Sequence, residues 1–130
     1  MNGKDDLVRG WLRKARSDSL AADATLRAGI PDAACFHAQQ AAEKYLKSFL
    51  TYHDVLFPYT HNLAKLLELC TQVEVSFHSL LPQVEPLTPY AVRLRYDDWF
   101  WPSLEVAEEA RSAADAVCQF VLARLPKSFD

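Results

Sequence analysis

The chain has 130 residues, a formal charge of −3 and an apolar half, which excludes disorder and is enough to bury one core without staples; a single domain over residues 1–130 is expected. The acidic balance gives no overall basic field for nucleic acid or a membrane surface, although a local basic patch fits inside a near-neutral average. Cys35, Cys70 and Cys118 are odd in number, far apart and never arranged as C-x-x-C, so they read as reduced core thiols rather than a zinc site or a disulfide framework.

The N-terminal Met1-Asn2-Gly3-Lys4-Asp5-Asp6 carries no hydrophobic leader core, and no apolar run is long enough to span a bilayer; a cytoplasmic protein with no membrane partner is expected. Asp5 and Asp6 favour a helix start that continues to about Ala28. Leu7, Trp11, Ala15, Ala22 and Leu26 share one stripe of it, with Asp18 in the middle of the buried face. A carboxylate left there without a partner costs several kcal/mol, on the order expected for a desolvated ion. It therefore pairs with the polar row of the second helix, or makes a local hydrogen bond at a wet edge.

Gly29 reads as a left-handed cap, and Pro31 starts the second helix at once. So short a link predicts an antiparallel pair. The second helix runs to about His53. Its residues Ala34, Ala38, Ala41, Ala42, Tyr45, Leu46 and Phe49 form a wide apolar arc, with Phe36 and Leu50 beyond it. His37, Gln40, Lys44 and Thr51 form a polar row, and Glu43 and Lys47 a charged row one turn apart. A helix with so little solvent face belongs in the middle of a bundle.

After the breaker Phe57-Pro58-Tyr59-Thr60, Thr60 or Asn62 caps a short third helix with Leu63, Leu66, Leu67, Leu69 and Cys70. A weaker apolar piece spans 73–81. Pro82, Pro86, Pro89 and Pro102 exclude one continuous helix between them, yet that stretch holds Tyr90, Arg93, Arg95, Tyr96 and Trp99 to Trp101. Such a segment packs down as a structured loop or builds a site. Ser103 caps a last helix to about Leu125, striped with Ala107, Ala114, Val117, Cys118, Val121 and Leu125. The pattern is an all-α bundle of four main helices with room for a short fifth.

No glycine-rich phosphate loop or nucleophile elbow exists, and no two of the four histidines have the i, i+4 spacing of a helical zinc pair; neither metal nor cofactor is expected. His37, Gln40 and Lys44 put a ring nitrogen, an amide and a cation on one face, suited to a phosphate or carboxylate; the plainer alternative pairs Lys44 with Asp18 and leaves His37 at a wet rim. Arg93, Arg95 and Tyr96 beside Trp99 and Trp101 suit nucleotide or RNA contact, or else plug the bundle or a dimer interface.

Ala15, Asp18 and Ala22 on the first helix, Gln40-Ala41-Ala42-Glu43-Lys44-Tyr45-Leu46-Lys47, the turn His61-Asn62-Leu63 and Tyr90-Ala91-Val92-Arg93-Leu94-Arg95-Tyr96 occur in an order that resembles the HEPN domain. The resemblance covers nearly the whole chain and implies an up-and-down bundle that dimerises. It also implies a minimal nucleotidyltransferase as neighbour, in a toxin–antitoxin or substrate-binding arrangement. Many such proteins are metal-independent endoribonucleases with a His after an Arg and four to six intervening residues. Here the positions after Arg93 hold Asp98, Trp99 and Phe100, and those after Arg95 hold Phe100, Trp101 and Pro102. Asp97 also stands where a proline often follows the R-Y pair. The expectation is a noncatalytic homodimer that binds a nucleotide or nucleic acid, or docks a nucleotidyltransferase. The alternatives are a ribonuclease toxin using Asp18, His37, Lys44, Arg95 and Tyr96, and a purely structural association module.

Overall fold

The computed structural model describes residues 3–93 and 101–130. Among them are α1 (Gly3–Arg27), α2 (Pro31–Tyr52), α3 (Leu63–Val73), the single turn α4 (Leu81–Val84) and α5 (Leu104–Leu122), with 3-10 segments at Val75–Leu80, Glu85–Ala91 and Lys127–Phe129. Among the described residues this is an all-α, up-and-down bundle of four longer helices and a short fifth.

The α1–α2 corner follows from Gly29, whose φ of +75° lets the chain reverse. Gly29 N–H donates to the Leu26 carbonyl and Ile30 N–H to that of Thr25, closing the helix end before Pro31 opens α2. α2 is central, packing on α1, α5, α3 and the 85–91 segment. Fourteen of its 22 residues are buried, so the bundle is built around it. The whole expected arc, Ala34 to Phe49, is buried. Its alanines and Ala15 and Ala22 of α1 are buried, α1 and α2 being the most extensively packed pair, while Tyr45, Leu46 and Phe49 supply bulk. Each fully buried Leu or Phe contributes about 1.5–3 kcal/mol. Phe77, from the 75–80 segment, bridges Phe49 and Phe120 with ring centroids 4.3 and 4.8 Å apart.

One expectation needs correction. On α1 the core stripe is Val8, Leu12, Ala15 and Ala22, rotated from the one expected: Leu7 is 62% exposed and Trp11 only partly covered. The helix turns this way because Val8 and Leu12 then meet the bulk of α2, leaving Trp11 for the α2–α3 link. Over 82–91 the proline-rich stretch packs down as a structured segment, one of the two readings expected of it. Pro82 and Pro86 each fall at the start of a turn, where their missing N–H costs nothing, and Val84, Leu87, Tyr90 and Ala91 are buried beneath. Asn62 caps α3 and Ser103 caps α5, accepting from the N–H of Lys65 and Val106. Among the described residues no helix is long and apolar enough to cross a membrane.

Candidate functional site on the α1–α2 face

The antiparallel pairing of α1 and α2 brings Asp18 against two turns of α2. Its carboxylate accepts from Lys44 Nζ at 2.5 Å and lies 3.0 Å from His37 Nδ1. An ionised carboxylate can only accept, so Nδ1 carries the proton and Nε2 is the ring's second position. All three side chains are partly covered: Asp18 is 13% exposed, Lys44 21% and His37 30%. The pairing with the polar row is thus the one the chain adopts. The Phe36 ring packs edge-on to His37, with centroids 5.4 Å apart.

Gln40 points the other way. Its Nε2 donates to Gln39 Oε1 at 2.7 Å, and Gln39 Nε2 donates in turn to Glu43 Oε1 and the His61 carbonyl, both at 3.2 Å. Glu43 accepts from Lys47 Nζ at 2.9 Å and from His61 Nδ1 at 2.8 Å. Glu43 and Lys47 are buried, and so is Gln39. The Lys47 ammonium sits 5.3 Å from the Trp11 ring centroid, 5.7 Å from that of Phe57 and 6.0 Å from that of Tyr59. This cage of cation–π contacts fastens the α2–α3 link onto both helices. The charged row is therefore a buried device. Gln39, the cage and the role of His61 were missed; the i, i+4 run Gln39, Glu43, Lys47 on a helix lacking a solvent face was the available signal.

Arg93 is exposed, two residues past the 3-10 segment. Its charge partly offsets the burial that, with Cys35 and Glu109 nearby, pushes the Tyr90 hydroxyl above its usual range. Arg95 and Tyr96 lie outside the described residues, so of the seven candidates the structure joins Asp18, His37 and Lys44 directly, with Gln40 adjoining on α2. The three thiols are free, Cys35 and Cys70 buried and Cys118 half-buried. Burial first, then the neighbouring Asp32, pushes Cys35 up to about 11, and burial raises Cys70 further. Among the described residues no group of His, Cys, Asp or Glu could hold a metal ion.

The described elements form an all-α bundle whose central helix carries one polar row outward and another inward. The HEPN domain family model matches residues 8–125, and the chain belongs to that family. It resembles TT1696 from Thermus thermophilus, with a TM-score of 0.77 and 28% identity over 91% of this chain and 98% of that one. It shares its fold with ST0689, an archaeal HEPN homologue, at a TM-score of 0.73 and 22% identity over 90% of this chain and 96% of that one. No protein of curated function matches the chain.

Proposed function

We propose that this HEPN protein is noncatalytic: a helical homodimer whose α1–α2 face binds a nucleotide or nucleic acid, or docks a minimal nucleotidyltransferase. The observation that carries the reading is the engagement of both functional groups of the outer row, Lys44 and His37, by one carboxylate, Asp18. Phosphate cleavage at neutral pH needs cations free to hold the phosphate and a base beside them. The family's Arg-to-His spacing, which supplies that pairing, is missing after Arg93 and Arg95. A cluster held by its own carboxylate offers hydrogen bonds instead, through His37 Nε2 and the remaining N–H groups of Lys44 Nζ. Association is supported by apolar surface at one end of this face: Leu7, one turn from Trp11, together with Leu56 and Tyr59, which are more than 90% exposed on the α2–α3 link.

The experiment is fluorescence anisotropy of the purified protein with labelled nucleotides and short RNA, followed by pull-down with a neighbouring nucleotidyltransferase. Binding to at least one, weakened by Lys44→Met, is expected; failure with all of them refutes the binding role.

A second reading is favoured by the 3.0 Å contact of Asp18 with His37 Nδ1, because a carboxylate that orients an imidazole leaves Nε2 able to take a proton. In that reading the protein is a ribonuclease toxin of a toxin–antitoxin pair. Expression without its neighbour should arrest growth and cleave RNA, and Asp18→Asn, His37→Ala and Arg95→Ala should each suppress both effects. Intact RNA after incubation with pure protein removes it.

A further inference from the structure

We infer that the trough between α5 and the 82–91 segment docks a basic amphipathic helix of another protein. The trough has a volume of about 570 Å³. Its floor is apolar, formed by Pro82, Leu87, Tyr90 and Val106, and its α5 wall is made of Ala110, Ala113 and Ala116 with Glu105, Glu108 and Glu109 on the rim. None of the lining residues comes from α1 or α2, so the surface is separate from the Asp18 cluster and does not depend on the reading given to it.

Three features identify the occupant. The lining positions run along α5 from 105 to 116, about 16 Å at helical rise, which is the length of three helical turns rather than of an enclosed small molecule. The alanine wall lets a second helix approach closely, as small residues do in helix packing. Finally, the rim carries three carboxylates and among the described residues no cation lines the trough, although Arg93 acts on Tyr90 in its floor, so positive flanks on the occupant complement the rim. A second copy of this chain seated about a two-fold axis would set these glutamates against their own counterparts, which argues against a closed self-interface there. The Gln83 side chain also lines the trough, and its buried Oε1 has no hydrogen-bond partner.

The test uses labelled synthetic helices and the full chain. One peptide has leucines at i, i+3, i+4 and i+7 with lysine flanks; a second keeps the leucines with glutamate flanks; a third keeps the lysines and replaces leucine by serine. The first should bind, more weakly at high salt, and the other two should not. The triple variant Glu105→Gln, Glu108→Gln, Glu109→Gln should weaken binding about tenfold and flatten its salt dependence. Ala113→Trp should block it, with circular dichroism confirming the fold of each variant. Methyl NMR shifts should fall on Leu87, Val106, Ala110 and Ala113. Equal binding by either variant, equal binding of the serine or glutamate peptide, or shifts centred on α1 and α2 would overturn the inference.

Discussion

Replacing Glu43 by Gln changes one atom and tests the buried network directly. Every polar group facing Glu43 is a donor: Gln39 Nε2 and His61 Nδ1 toward Oε1, Lys47 Nζ toward Oε2. A carboxylate accepts from all three, whereas an amide must turn its NH2 toward one of them whichever way it flips. The change also leaves Lys47, 5% exposed, as a buried cation without a counter-charge. Breaking such a pair costs about 3–5 kcal/mol, roughly a fifth or more of the 5–15 kcal/mol that holds a domain together. With a urea slope of about 2 kcal/mol per molar, the midpoint should fall by about 2 M. Lys47→Met alone should cost a similar amount, because it strands the carboxylate. The double variant removes both charges and should be more stable than the sum of the singles by about 2–3 kcal/mol. Urea unfolding followed by circular dichroism measures all four corners. A Glu43→Gln cost below about 1 kcal/mol, or additive single effects, refutes the view that these two buried ions depend on each other.

Three other outcomes are expected. Gly29 and Asp54 both have positive φ, +75° and +59°, so Gly29→Ala should lose about 1 kcal/mol and Asp54→Gly should gain about 0.5, both read from the urea midpoint. No atom lies within 4 Å of an added Cβ at Gly29, so that loss is purely conformational. Ser103→Ala removes the acceptor for Val106 N–H at 3.1 Å and should cost about 1 kcal/mol, which Ser103→Asp should recover. At pH 8 a Cys35 thiol pushed up to about 11 is roughly one part in a thousand thiolate. A disulfide reagent should therefore spare Cys35 and Cys70 in the folded protein and titrate all three cysteines in denaturant; rapid reaction of Cys35 in native buffer would contradict the packing.

The helices were legible because their local signals agree. Gly29 with Pro31, Asn62 and Ser103 mark ends through backbone geometry that needs no distant partner. The arc of α2 was legible because its alanines and aromatics repeat at helical spacing. The rotation of α1 was not, since Leu7-Val8 and Trp11-Leu12 give two adjacent stripes of similar apolar content, and only the shape of α2 selects Val8 and Leu12. The packing of 82–91 was legible as a structured segment, but not its form, because prolines rule out one long helix and leave open a series of short turns. The outer cluster was half legible: an acid inside an apolar stripe demanded a partner, and Lys44 was the cation on the facing row.

The two lysines of the Q-A-A-E-K-x-L-K stretch have opposite uses, and the difference is measurable. Lys47 points inward, its charge satisfied by Glu43 and flanked by the rings of Trp11 and Phe57, with the exposed Tyr59 beyond. Recruiting it to a ligand would release the α2–α3 link. Lys44 lies three residues back and so turns to the outer row, paired with Asp18 but reachable from solvent. Lys44→Met should cost only about 1 kcal/mol of stability, because Asp18 keeps His37 as a partner and some contact with water. It should still weaken whatever binds the α1–α2 face. Lys47→Met should do the reverse, destabilising the fold while leaving the intrinsic affinity of the remaining folded molecules unchanged. Measuring urea midpoint and ligand affinity on both variants separates the roles. If Lys44→Met proves as destabilising as Lys47→Met and leaves binding intact, the outer row is structural as well, and the functional face must be sought elsewhere on the bundle.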